Sequence, residues 1–141
     1  MNICNLPPRG IRNHNPGNIR PGQNWQGLDP EGKKKDASFC VFVAPEYGIR
    51  ALAKVLINYQ RIHQLDTTRK IINRYAPPVE NQTLAYIQSV AKQLGTVPDA
   101  KVDLSEDGVL MVFIKAIIRH ENGIQPYSDE VLQKSIRMAR E

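Results

Sequence analysis

Cysteines, aromatic residues and long apolar runs are scarce in this chain, and each shortage excludes something. Cys4 and Cys40, its two cysteines, stand far apart with no CxxC pair or Cys/His cluster around them. That is no zinc-site spacing, and two thiols are too few for a disulfide scaffold, so the expectation is two free or buried thiols. His14, His63 and His120 show no metal-ligand spacing either. No window approaches the ~18 consecutive apolar residues of a membrane helix, which argues against membrane insertion. The opening MNICNLPPRG has two prolines and no apolar core. It is therefore not read as a secretory signal, and work in the periplasm or cell wall would require delivery by another agent.

What is present describes one globular domain spanning residues 1–141. The chain is 41% hydrophobic and 23% charged, a composition of folded rather than disordered proteins. Its formal net charge is +5 and its pI about 9.4. A basic surface is drawn to polyanions, among them nucleic acid and the bacterial envelope. The one basic run is Lys33–Lys35, a solvated-loop pattern, and no nucleic-acid-binding motif accompanies it.

Residues 1–36 form a loop-rich segment dense in Gly, Pro and Asn, with Ile11, Ile19, Trp25 and Leu28 as apolar anchors. Long ordered loops of this kind are often functional. The β-prone ASFCVFV, residues 37–43, is expected to pair back as a small β-hairpin. Residues 45–141 read as a helical core. Pro45 and Glu46 suit a first helical turn, and Ile49, Leu52, Ala53, Leu56 and Ile57 follow helical spacing. Thr67 or Thr68 can cap a short helix that Pro77-Pro78 must end. Another helix is expected from about Thr83 to Leu94, with Leu84, Ile87, Val90, Ala91 and Leu94 inward and Gly95 as its stop. GVLMVFIKAIIRHENG is the most hydrophobic helix, and Ser128 to Glu130 open a last one carrying Val131, Leu132, Ile136 and Ala139. The fold class is mainly α (α+β): about five helices and a small hairpin.

The most hydrophobic helix carries the residue of greatest chemical interest. Leu110, Phe113 or Ile114, and Ile117 step along one face, and Glu121 is the next position on it, just before Asn122-Gly123. A glutamate at the lip of a core is disfavoured as a carboxylate by burial. Such an acid could protonate a leaving oxygen. A solvated Glu121, or one paired with Arg119 or His120, is the plainer alternative.

RGIRNHNPGNIR, NWQG, FCVFVAPEYGIRALAKVLINYQ, IINRYAPPVENQTLAYIQSVAKQLG and AIIRHENG together resemble small phage and prophage virion proteins, labelled "structural protein" and assigned to the lysozyme-like superfamily. The resemblance runs from about Arg9 to Ala139. Its middle is also similar to flagellar-type glucosaminidases. Asn13 to Ile19, Trp25, Phe39 to Phe42 and Gly48 to Tyr59 fill the places of their asparagine-rich segment, hairpin, strand and helix. In those enzymes the catalytic glutamate directly precedes the asparagine-rich segment. Here the residues before Asn13 include no acid, and the matching phrase AIIRHENG lies near the C-terminus. The resemblance therefore implies a circularly permuted lysozyme-like fold with Glu121 in the glutamate's place, seated over the Asn13–Arg20 loop. Permutation is topologically cheap where termini lie close together.

It further implies an enzyme that cleaves peptidoglycan glycan strands, of muramidase or lytic transglycosylase type, with no cofactor. The alternative is a non-catalytic virion or tail protein that binds the glycan and joins other virion proteins. A glycosidase with two carboxylates needs a partner ~5–9.5 Å away. The candidates are the hairpin acids Asp29, Glu31 and Asp36, with Asp36 preferred. If none serves, a single-acid lytic transglycosylase remains. Glu46, flanked by Pro45 and Tyr47, is the rival acid, with stabilisation of a helix dipole as its plainer reading, and Glu80 with Asn81 is read as organising the cap of the next helix. Asn15 and Asn18 of the loop, with Tyr75, Asn81, Thr83 and Tyr86, are expected along the saccharide groove, and Tyr86 could equally be core. Trp25 could stack on a sugar or pin its loop.

Overall fold

A computed structural model describes residues 6–76 and 80–141, apart from the side chains of residues 80 and 81. Cys4, Pro77, Pro78 and the side chains of Glu80 and Asn81 lie outside that description. The described residues are mainly helical. The helices are α1 (Arg9–Arg12), α2 (Gly32–Lys35), α3 (Pro45–Arg61), α4 (Thr68–Tyr75), α5 (Glu80–Gln93), α6 (Asp107–Asn122) and α7 (Asp129–Arg140). Five of these are the helices expected from periodicity, while α1 and α2 are single turns inside the Gly/Pro-rich segment.

The chain resolves into two compact units. One comprises residues up to Lys54 together with Ile117–Glu141, the other Val55–Ala116. The boundaries fall within α3 and within α6.

The second unit is built on apolar helix faces. Leu56, Ile71, Ile72, Ile87, Val90, Leu104, Leu110, Phe113 and Ile114 are all buried. Helices α4 and α5 pack on each other. Thr67 caps α4, its side chain accepting from the backbone N–H of Lys70. Gly95, at φ +73°, ends α5 as the sequence suggests. Leu84 departs from its expected inward position and is exposed. It begins the apolar stripe of α5, and the buried part of that stripe starts one turn later at Ile87.

The first unit has α7, the ends of α3 and α6, and the loop-rich segment. Ser128 caps α7, accepting from the N–H of Val131. The hairpin expected at residues 37–43 is not formed among the described residues; an isolated antiparallel bridge joins Leu28 and Phe42. The reason lies in how this extended segment spends its hydrogen bonds. Asp29 N–H donates to the Val41 carbonyl and Val43 N–H to the Gly27 carbonyl, each at 2.9 Å. On the other edge, Cys40 N–H reaches Ile19 and Phe42 N–H reaches Asn13. The segment is thus shared between two loops, and neither pairing is long enough to make a ladder.

Candidate functional site

The loop from Asn13 to Arg20 owes its shape to asparagine. His14 and Asn18 sit at φ +51° and +52°, the left-handed region that asparagine tolerates better than most residues. Asn15 is fully buried and uses its whole amide. Its Nδ2 donates to the carbonyls of Ile19 and Cys40, and its Oδ1 accepts from Ile19 N–H. Such an amide, buried and with both its hydrogens spent, fixes the loop to the 37–43 segment.

Helix α6 ends on this loop. Asn122, also buried, donates from Nδ2 to the Pro16 carbonyl at 2.8 Å and to its own Ile118 carbonyl at 2.9 Å. One residue earlier, Glu121 is half-buried, and its Oε2 accepts from Asn18 Nδ2 at 3.2 Å. Glu121 and Asn18 are therefore brought together across 103 positions of sequence. Two glycines make this approach possible. A Cβ on Gly48, in the first turns of α3, would run into the backbone of His14 and Asn15. A Cβ on Gly10 would come within 3 Å of Asn122 Oδ1, Asn18 Oδ1 and the Asn15 carbonyl oxygen.

Asp36 has a different occupation. Arg9 donates to both its oxygens at 2.7 Å, Asn13 Nδ2 donates at 2.8 Å, and the N–H groups of Ser38 and Phe39 complete the set. The Arg9 hydrogen bonds, helped by the others, hold this carboxyl well below the usual carboxylate range. A carboxylate so saturated joins α1 to the 36–39 turn, and its lone pairs are already taken. The other hairpin acids are paired too: Asp29 with Lys35 at 2.6 Å, and Glu31 with Lys34 at 2.9 Å. A surface cleft of about 740 Å³ lies beside them, with Asn24, Asp29, Lys33, Asp36 and Phe39 among its walls. Glu121 does not line it.

Trp25 is half-buried and packs, with Ile19, Leu28 and Tyr47, against Cys40, Phe42 and Ala51. This packing pins the loop. Cys40 is a free buried thiol, raised in pKa by desolvation. Tyr75, Thr83 and Tyr86 belong to the second unit. Tyr75 meets Tyr59 edge-on at 6.4 Å, Thr83 is buried and Tyr86 is half-buried. Asn81, the remaining groove candidate, lies outside the described side chains. Among the described residues, no group of three or more His, Cys, Asp or Glu could hold a metal ion. Nor, among them, is any helix long and apolar enough to cross a membrane.

No protein-family model matches the chain. Over 133 residues it is 37% identical to "Protein P5" of Pseudoalteromonas phage PM2, covering 92% of this chain and 81% of that protein. The chain belongs to the Protein P5 family.

For this Protein P5 relative, the resemblance set Glu121 over the loop that carries Asn18, but the sequence did not announce what shapes that corner. Arg9, which holds Asp36, and Gly10 and Gly48, which allow the close approaches, carry no local signal of that role. The available signal was the cluster Asn13, Asn15 and Asn18 that follows Gly10 and spans Gly17, since asparagines in a glycine-rich turn commonly bond their own backbone.

Proposed function

We propose that this protein is a component of a phage particle, where it engages the glycan strands of the bacterial cell wall at the Glu121 end of α6. What supports the particle role is the match to a phage protein along nearly the whole chain. What supports the glycan role is the Asn18–Glu121 contact, which joins the asparagine-rich loop to the acid that the lysozyme-like resemblance assigns to it. The permuted lysozyme-like reading requires these two residues to be neighbours. A separation beyond about two helix diameters would have ended it.

The test has two arms. Purified particles are analysed by mass spectrometry for this chain, and the isolated protein is sedimented with purified peptidoglycan sacculi. Presence in particles and co-sedimentation weakened by Asn18→Ala are expected. A protein absent from particles and indifferent to sacculi overturns the reading.

A second reading, cleavage of the glycan, is favoured by one observation. Of the four acids Asp29, Glu31, Asp36 and Glu121, the first three are engaged by cations and Glu121 is in no ion pair among the described residues. A single acid suits a lytic transglycosylase-type reaction, in which Glu121 protonates the glycosidic oxygen and then takes the proton of the substrate's own 6-hydroxyl as that oxygen closes on the anomeric carbon. Muropeptide mass spectrometry should show anhydro ends with wild type and none with Glu121→Gln. Equal products, or none from either protein, remove the catalytic reading and leave the binding one standing.

A further inference from the structure

Three acceptors gather around Gly10, and two of them have no donor among the described residues. Asn18 Oδ1 and Asn122 Oδ1 are buried and have no hydrogen-bond partner among the described residues. Both point at Gly10, as does the Asn15 carbonyl oxygen, which already accepts from Asn18 N–H at 3.0 Å. Leaving a buried acceptor unmet is costly, and two side by side more so.

Only one of the two amides is free to relieve this. Asn122 spends both Nδ2 hydrogens, on Pro16 and on Ile118, so turning it over would break two bonds. Asn18 spends its Nδ2 on Glu121 alone. Rotating the Asn18 amide by half a turn places its NH2 among the acceptors around Gly10 and turns its carbonyl oxygen towards Glu121. A carboxylate cannot face that oxygen favourably, because both are acceptors. A carboxylic acid can, because it donates its proton.

We propose that Asn18 is a positioning residue for Glu121 whose side-chain amide reverses with the proton on that acid. It offers NH2 to the carboxylate and its carbonyl oxygen to the protonated form. The proposal deepens the Glu121 reading above: a group that must hold a proton and then release it acquires a partner suited to each state. The ionisable residues nearby in the chain are Arg119 and His120 on α6, His14 and Arg20 in the loop, Arg9 and Arg12 on α1, and Glu46 and Arg50 on either side of Gly48 on α3. Of these, Arg9 is held by Asp36, and Arg12 donates to the Pro7 carbonyl.

Glu121→Gln supplies a permanent donor without a charge, so it mimics the acid form. Nuclear Overhauser contacts between the Asn18 side-chain NH2 and the Gly10 α-protons, in nitrogen-15-labelled full-length protein at pH 7, read the orientation directly. They are expected to be strong in Glu121→Gln and weak or absent in wild type. The same contacts in both proteins, or in neither, overturn the proposal. Thermal unfolding supplies a second measure. Glu121→Gln should raise Tm by a few degrees when Asn18 is present and leave it unchanged in an Asn18→Ala background. Equal shifts in both backgrounds also overturn it. Neither readout needs activity or glycan, so a failed reversal is distinguishable from a failed glycan role.

Discussion

The two units are stabilised by different means. Residues Val55–Ala116 follow apolar periodicity: buried Ile, Leu, Val and Phe side chains on helices, with Arg69–Asp99 as an exposed ion pair and Thr67 as a cap. The other unit also has an apolar core, but its loop is shaped by buried polar side chains. Asn13, Asn15, Asp36 and Asn122 are each nine-tenths or more buried and each hydrogen-bonded. The charge is uneven as well: twelve lysines and arginines against eight carboxylates in the first unit, seven against six in the second. Apolar burial tolerates small changes of shape, whereas a saturated polar network and a backbone-to-backbone approach do not.

The sharpest way to break this contrast is to add one methyl group to each unit. Gly48→Ala should unfold the first unit, or cost it at least about 4 kcal/mol, because the new Cβ meets backbone that cannot step aside. Urea denaturation measures the loss, and a cost below ~1 kcal/mol would show that the loop is not seated on α3 as described. Asp36→Ala ranks next, at on the order of 3 kcal/mol, since Asn13 and two backbone N–H groups lose their acceptor with Arg9.

That same carboxyl sets an acid dependence. Its pKa is lower folded than unfolded, so its stabilisation is complete above the unfolded value of ~4 and fades as pH falls below it. Denaturation midpoints measured from pH 6 down to pH 2 should decline less steeply in Asp36→Asn than in wild type.

Smaller effects belong to the second unit. Gly108→Ala, in the first turn of α6 with open space around it, should stabilise by ~0.5–1 kcal/mol through helix propensity. The same substitution thus changes sign between the units. Arg69→Ala should leave the urea midpoint almost unchanged, because its ion pair with Asp99 is exposed and screened.

What was legible in the sequence follows the same division. Helices α3 to α7 were visible because apolar spacing, caps and glycine stops are local signals, and the stripe Leu110–Ile117 led directly to Glu121. The hairpin was misread because β-propensity in ASFCVFV is real, but its backbone partners, Ile19 and Asn13 on one edge and Gly27 and Asp29 on the other, are set by tertiary contacts. Asp36 reads as a reactive acid in the sequence because nothing near it announces Arg9, 27 positions away. The juxtaposition of Asn18 with Glu121 came from resemblance, and no periodicity could have supplied it.

The tie from Asn122 to Pro16 has a consequence for how the molecule is made. An early loop that closes on a late helix has nothing to close on while the ribosome is still working through the middle of the chain. The second unit contains only residues made before position 117, whereas the asparagine turn must wait until α6 is finished. The corner where the asparagine turn meets Glu121 therefore forms only once α6 is complete.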